Sequence, residues 1–246
     1  MKNIDFIKNK IIAHRGYHDI EKGIPENSIT AFKRAIDFEY VIEIDLHLLK
    51  DGNIVVFHDD NLERLTGVSK NIKDCTYEEI KNLKLENIDE HIPLFKEVLE
   101  LVNGRVPLLI EYKYDNKPGL LEEKSMILLK DYKGKYAVQS FNPKSVKWFK
   151  DNYKDIPRGQ LASSFANEKM CFIKKLILKN VLLFSYNKPD FVSYAIKDLP
   201  NSRIGKLRKK GICIFGWTIR DKEAFDFAKK YCDSSVCEYM DKYINN

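Results

Sequence analysis

Four apolar runs in this 246-residue sequence stop on side chains that could do chemistry. "IIA" at 11–13 ends in His14 and Arg15, "VIEIDL" carries Glu43 and Asp45, "LLIEYK" carries Glu111 and Lys113, and "IVVF" at 54–57 delivers His58 and Asp59. In a strand, residues i and i+2 share a face, so each acid pair or acid–lysine pair points one way. Three carboxylates on two runs that otherwise read as fully buried cannot sit unpaired, because each buried charge costs several kcal/mol. One divalent cation would satisfy Glu43, Asp45 and Glu111 together, and an all-oxygen donor set favours Mg²⁺ or Ca²⁺ over zinc. A hard cation beside Arg15, Lys113, His14 and His58 suits an anionic, oxygen-rich substrate, most simply a phosphate ester. Two imidazoles titrating near neutrality suit one proton taken and one given.

Each residue also has a bland reading. A histidine at a strand end is commonly a capped polar residue, Glu43 with Asp45 reads equally as a solvated edge, Glu111 with Lys113 as a surface ion pair, and Trp217 at the end of "IFGW" as core. Asp45 with His47 resembles a metal pair but lacks further histidines, so His18, His47 and His91 are assigned no role. The coincidence of all the charged strand ends is what favours a site.

Eight short runs rich in Ile, Val and Leu, near residues 11–14, 41–46, 107–112, 135–140, 158–162, 190–194, 212–217 and 234–238, alternate with helical patterns such as "SITAFKRAIDF" and "KEAFDFAKKY". Near-continuous apolar strands separated by helices imply a parallel sheet covered on both faces. Eight repeats in about 250 residues is the size of a (β/α)₈ TIM barrel, with a doubly wound open sheet as the structural alternative. In a barrel the chemistry sits where strands end, which is where these charges fall. Residues 47–93 break the alternation: "LLKDGNIVVF" reads as a hairpin turning at Asp51–Gly52, and the polar, irregular segment after it is too small for a domain of its own. The expectation is one domain over 1–246 with a small insertion after the second strand at about 47–93.

Composition excludes several classes. With 44% apolar and 12% aromatic residues the chain can build a sizeable core. Its net charge of +6 comes from dispersed lysines mixed with acids, with no basic stripe interleaved with aromatics, so no nucleic-acid partner is expected. Five cysteines without a CxxC pair suggest neither a disulfide framework nor a zinc ribbon. Charges break the N-terminal "MKNIDFIKNKII" and the most apolar stretch, "CFIKKLILKNVLLF" from Cys171. No signal peptide, membrane span or stable membrane anchoring is expected, and a cytoplasmic location fits best. The Cys171 stretch reads as a helix covering the sheet, with an amphipathic membrane-surface segment as the alternative. Oligomeric state is not legible.

Longer motifs carry a resemblance. "AHRG" at 13–16, "PENSITAF" at 25–32, "EIDLHLLKDG" at 43–52, "VVFHD" at 55–59, "IPLFKEVL" at 92–99, "LLIEYK" at 108–113, "QSFNP" at 139–143 and "GWTI" at 216–219 arrive in the order and spacing of the glycerophosphodiester phosphodiesterase family, which the sequence resembles over most of its length. The resemblance implies a TIM barrel with an insertion after the second strand, and hydrolysis of a deacylated phospholipid to glycerol 3-phosphate and an alcohol. By position it implies that His14 and His58 are the acid/base pair and that Glu43, Asp45 and Glu111 ligate the metal. Arg15 and Lys113 would contact phosphate. Glu26 and Asn27 fall on the family's "PEN" signature near the metal, and Phe141 and Trp217 would flank the glycerol or leaving group. Two departures stand out: Leu49 where the family usually has threonine, and "SVCEYMDKY" from Ser235 where it tends to a "TD-x-P" turn, so that Glu238 and Tyr239 would reshape the rim. Two rival functions remain: a lysophospholipase D or sphingomyelinase-like enzyme acting on lipid, served by the Cys171 stretch, and a non-catalytic glycerophosphodiester-binding barrel, which would not need the histidine pair.

Overall fold

Apolar strands in regular alternation with helices should pair in parallel, and each of the eight expected runs carries a strand. The computed structural model describes residues 2–113 and 117–244. Among these residues the strands are β1 (Ile11–Ala13), β2 (Val41–Leu48), β3 (Ile54–Val56), β4 (Leu108–Tyr112), β5 (Tyr136–Ser140), β6 (Arg158–Ala162), β7 (Phe191–Ala195), β8 (Cys213–Ile219) and β9 (Ser234–Cys237). Their order is β1-β9-β8-β7-β6-β5-β4-β2-β3, with β1 also pairing with β2. This is the order of a (β/α)₈ barrel, to which β3 is added as the antiparallel arm of the expected hairpin, Leu46 opposite Val56 and Leu48 opposite Ile54. The chain falls into two compact units, Ala13–Lys135 and Met1–Ile12 with Tyr136–Asn246.

In the unit Ala13–Lys135, β2 is buried at seven of its eight positions, so any charge on it is a buried charge. It pairs in parallel with β4, Glu43 opposite Leu109 and Asp45 opposite Glu111. Helix α1 (Ile29–Asp37) starts at Ser28, whose hydroxyl accepts the Ala31 N–H at 3.1 Å, and buries Ala31, Phe32, Ala35 and Ile36 at helical spacing. The turn after β1 runs against this helix. A Cβ at Gly16 would lie 2.9 Å from the Ala31 Cβ, and Gly16 has φ +81°, so both space and backbone demand glycine there. Residues 49–92, polar on reading, carry a small core of their own: Leu49, Val55, Phe57, Leu62, Leu65, Ile72, Cys75, Ile80, Leu85 and Ile92 are all buried. The short helices α2 (Glu63–Thr66) and α3 (Tyr77–Ile80) contribute Leu65 and Ile80 to it. Helices α4 (Phe95–Val102) and α5 (Leu120–Leu129) complete this unit.

In the other unit, β5 to β9 pair in parallel in chain order. Helices α6 (Pro143–Asn152), α9 (Ser202–Lys209) and α10 (Lys222–Tyr231) begin on side-chain caps from Asn142, Asn201 and Asp221. Two more helices, α7 (Phe172–Lys179) and α8 (Phe184–Asn187), fall in the Cys171 stretch: Val181 between them is buried and Leu178 and Phe184 pack against the core cluster around it, as a covering segment would, although no residue of α7 itself is fully buried. Its apolar side chains are divided: Leu178 packs inward, while Phe172, Ile173 and Leu176 stay exposed. The divergent C-terminus is knit together instead of open, because Glu238 is buried and accepts from Arg220 Nε at 2.6 Å while the Tyr243 hydroxyl sits between the Ile219 and Glu238 carbonyls at 2.9 and 2.8 Å. Tyr239 takes a left-handed φ of 53° at that turn. No helix among the described residues is long and apolar enough to cross a membrane, and all five cysteines are free.

Candidate functional site

The register of β2 on β4 decides the site. Asp45 and Glu111 are direct neighbours across the two strands, Glu43 lies two residues back on the same face of β2, and carboxylate oxygens of the three lie within 4.8 Å of one another. All three residues are buried. Lys113, its side chain 12% exposed, reaches back along β4 to ion-pair with Asp45 Oδ1 at 2.7 Å and Glu111 Oε1 at 2.8 Å. The Glu111–Lys113 pair is therefore no surface bridge but part of a buried charge cluster.

Arg15 and the "PEN" residues close the cluster from the loop after β1. Arg15 takes φ 53°, its backbone N–H donates to Glu43 Oε2 at 3.0 Å, and its Nη1 donates to Glu26 Oε1 at 2.8 Å. Its Nε lies 3.6 Å from Asp45 Oδ2. Asn27, buried and also left-handed, donates its backbone N–H to the Arg15 carbonyl at 2.9 Å and its Nδ2 to Asp45 Oδ2 at 2.9 Å.

The second half of the site comes from the end of β3. The Phe57 N–H donates to the Asp45 carbonyl at 3.0 Å, which sets the chain leaving β3 beside the acids. His58 follows, a third exposed, with Nδ1 2.6 Å from Asp59 Oδ1. An ionised Asp59 only accepts, so His58 Nδ1 is the donor of this hydrogen bond, and in the neutral ring that places the lone pair on Nε2. Arg64 fixes Asp59 in turn: its Nε donates to Asp59 Oδ2 at 2.6 Å, and its Nη2 donates to Glu26 Oε1 at 2.7 Å. A continuous network thus runs His58–Asp59–Arg64–Glu26–Arg15. His14, half-buried, directly follows β1, and one of its ring nitrogens lies within 4.8 Å of a ring nitrogen of buried His18.

Three carboxylates against two cations leave the inner cluster over-supplied with negative charge, and the acids respond unequally. Burial pushes the Glu43 carboxyl well above its usual range, and the neighbouring Asp45 and Glu111 add to the effect. Burial also opposes ionisation of Asp45, but Lys113, His58 and Arg15 outweigh it and hold that carboxyl far below the usual range. Glu26 is likewise lowered, against burial, by Arg64 and Arg15. His47 is buried with Nε2 3.2 Å from the His58 carbonyl; burial, then the Lys113 charge, pulls it down to about 4, so it is a neutral structural group.

The residues fit a hard cation. The donors are oxygens, they converge, they carry surplus negative charge, and the buried Asn27 Oδ1 beside them has no hydrogen-bond partner among the described residues. Phe141 and Trp217 belong to the other unit, where their rings meet edge to face at 5.6 Å. Sequence reading missed the roles of Arg64 and Asp59 in holding His58. Asp59 is flagged by its position next to His58; Arg64 has no local signal, since its two acids lie 5 and 38 residues away.

Similarity to known proteins agrees with the geometry. Residues 14–237 match the model of the Glycerophosphoryl diester phosphodiesterase family. A glycerophosphodiester phosphodiesterase of Caldanaerobacter subterraneus is 31% identical over 252 residues, covering 97% of this chain and 98% of that protein. A lysophospholipase D of Rattus norvegicus is 35% identical over 148 residues, 54% of this chain and 46% of its own length. Among solved structures, an Oleispira antarctica phosphodiesterase in complex with the product sn-glycerol-3-phosphate shares the fold, with TM-score 0.78, 22% identity, and coverage of 95% of this chain and 94% of that one. A barrel hydrolase of phosphodiesters is the class these observations define. Within it, the chain belongs to the glycerophosphoryl diester phosphodiesterase family, whose substrates are glycerophosphodiesters.

Proposed function

We propose that the protein hydrolyses water-soluble glycerophosphodiesters to glycerol 3-phosphate and an alcohol, with one divalent cation, Mg²⁺ or Ca²⁺, held by Glu43, Asp45 and Glu111. The convergence of those three buried carboxylates beside the Asp59-oriented His58 is the observation that carries the reading. A cation bound there would neutralise charge developing on the phosphoryl oxygens and make a nearby hydroxyl more acidic. Arg15 and Lys113 bind and orient the phosphate, Arg15 with a planar donor fork and Lys113 as a point charge. His58, with its proton fixed on Nδ1, accepts at Nε2 the proton of the glycerol hydroxyl next to the phosphate. That oxygen forms a bond to phosphorus as the bond to the alcohol oxygen breaks, and His14 gives its proton to the departing alcohol. Water then opens the cyclic phosphate with the roles reversed: His14 takes a proton from water and His58 returns one to the glycerol oxygen. Direct attack by water would use the same residues. A cytoplasmic location belongs to this reading, and the five free cysteines are compatible with it.

A lipid substrate is the second reading, favoured by the exposed apolar side chains of α7 and by the lysophospholipase D relative. Assaying glycerophosphocholine, glycerophosphoethanolamine and lysophosphatidylcholine, each with and without EDTA, separates the two. We expect the deacylated esters to be preferred by at least about tenfold in kcat/KM, about 1.4 kcal/mol in barrier. A preference for the lysolipid reverses the assignment, and turnover of none of them leaves the non-catalytic binding barrel.

A further inference from the structure

Twelve large apolar side chains are exposed among the described residues, and six of them, Phe172, Ile173, Leu176, Leu182, Leu183 and Tyr186, fall within fifteen positions. Scattered exposed apolar residues need no explanation, but a contiguous set does. Phe172 and Ile173 are 78% and 68% exposed, and Leu176 lies one turn on from both, so the three form one face of α7. The helix is not loose. Leu178 and Phe184 lean on the buried cluster around Val181, Val192 and Ile204, which fixes the opposite side and leaves the Phe172 face outward.

Within this stretch the charge has one sign, although exposed Glu168 stands just before it. Lys169, Lys174, Lys175, Lys179 and Lys188 lie in or beside the stretch, and no aspartate or glutamate occurs from Lys169 to Pro189. Lys169, Lys174 and Lys188 are exposed. A cavity of about 500 Å³ borders α8 and is lined by Phe184 and Lys188 together with Lys2, Arg158 and a single acid, Asp190. Asp190 accepts from the backbone N–H groups of Lys2 at 2.8 Å and Arg158 at 3.2 Å and lies 3.9 Å from Arg158 Nη1, while Lys2 Nζ pairs with Asp155, so the exposed Lys188 is the cation this lining adds to the face. Hydrocarbon flanked by lysine is the composition of a segment lying in a membrane interface, with apolar side chains among acyl chains and ammonium groups at the phosphates. A protein partner would have to be both apolar and strongly acidic, and nothing on this face selects a particular one.

We propose that α7 and the turn to α8 form a reversible docking surface for an anionic lipid bilayer. Phe172, Ile173, Leu176, Leu182 and Leu183 enter the interface, and the lysines select anionic over zwitterionic lipid. One short helix supports transient association and not permanent anchoring. This surface is independent of the phosphodiesterase assignment, since it uses no residue of the acid–histidine site.

Co-sedimentation of the whole protein with vesicles tests it, comparing phosphatidylcholine alone with phosphatidylcholine containing about 30% phosphatidylglycerol. We expect binding to the anionic vesicles at low salt that weakens steeply as ionic strength rises, because the lysine attraction is screened beyond about 10 Å at 0.1 M salt. The combined Phe172→Ser, Ile173→Ser, Leu176→Ser variant should bind at least about tenfold more weakly, and the Lys174→Glu, Lys188→Glu variant should lose anionic preference. Both should turn over soluble glycerophosphocholine at the parent rate, and being surface changes both should melt near the parent temperature. Failure to bind anionic vesicles, equal binding to neutral ones, or binding unchanged in both variants overturns the proposal. Concentration-dependent self-association that the serine variant abolishes, without vesicle binding, would assign the face to a second copy of the chain and overturn it too. Inactivity of the parent on every phosphodiester, with vesicle binding intact, would count against the enzymatic reading alone.

Discussion

Around Asp45 the protein buries charge, and along α7 it exposes hydrocarbon. Both are unfavourable in isolation, by several kcal/mol per buried ion and by about 1.5–3 kcal/mol per large apolar side chain kept in water. The buried charges are tolerated because each has partners: Lys113 spans Asp45 and Glu111, Arg15 touches Glu43 and Glu26, and Arg64 ties Glu26 to Asp59. On α7, Leu178 packs against the core, but Phe172, Ile173 and Leu176 stay exposed. The difference teaches where to look for what is outside the polypeptide. The acid cluster could hold a metal ion, and the Phe172 face of α7 is left exposed.

The largest expected effect breaks the acid cluster. Chelation should silence turnover by about 10³-fold or more, since charge neutralisation at a phosphoryl centre supplies several kcal/mol, and Mg²⁺ or Ca²⁺ should restore it. Because Glu43 holds its proton above the usual carboxylate range, metal binding must expel that proton, so affinity should rise with pH above that range. Calorimetric titration in two buffers of different ionisation enthalpy reads the proton directly. Full activity in excess EDTA would remove the metal from the mechanism.

Next come the histidines. His14→Ala and His58→Ala should each lower kcat by about 10²- to 10⁴-fold with unchanged melting. Asp59→Asn should cause a smaller loss and alter the pH profile, because an amide no longer dictates which His58 nitrogen carries the proton. A variant keeping half the parent rate would take that histidine out of the proton transfers.

A smaller effect concerns stability. His47, depressed from 6.5 to about 4, is neutral in both folded and unfolded chains above pH 6.5 and contributes no slope there. As pH falls from 6.5 towards 4 the unfolded chain takes up the proton first, so stability drops, by about 2 to 3 kcal/mol at pH 4.5. Urea unfolding at pH 7 and pH 4.5 in chelator should show this extra loss in the parent and not in His47→Gln. Equal slopes would mean that His47 is charged inside the fold.

The smallest effect sharpens the α7 side. Leu176→Ser should change unfolding free energy by no more than about 0.5 kcal/mol, whereas Ile80→Ala, in the core of the insertion, should cost about 2–5 kcal/mol. A marked loss at Leu176 would show that the outward face of α7 packs against something within the chain after all.

The strand ends were legible because their signal is local: period-two spacing puts Glu43 with Asp45 and Glu111 with Lys113 on shared faces wherever the strands lie. The contact between the pairs was not, since Asp45 opposite Glu111 is a matter of register, set by packing across 66 residues of chain. Arg64 was invisible for the same reason, its acids being brought to it by the small core beneath the insertion. That core itself was hidden because its ten apolar residues, from Leu49 to Ile92, are spread among charged neighbours without a sustained period. The α7 stretch shows the converse limit. Amphipathic spacing tells which side of a helix is apolar, but not whether the protein supplies anything to meet it.

The β2–β4 pairing also sets which length changes the chain can survive. Adding one residue inside β2 ahead of Asp45 would turn the acids to the opposite face and separate them from Glu111 at a stroke. Segments between the insertion's core residues, such as Val68–Asn71 and Glu86–Glu90, run over the surface, where doubling a loop's length costs only about 0.6 kcal/mol in closure entropy. Family members can therefore diverge in length over the hairpin's outer reaches while 41–48 and 108–112 hold a fixed count, and an insertion tag placed at 68–71 should leave turnover intact.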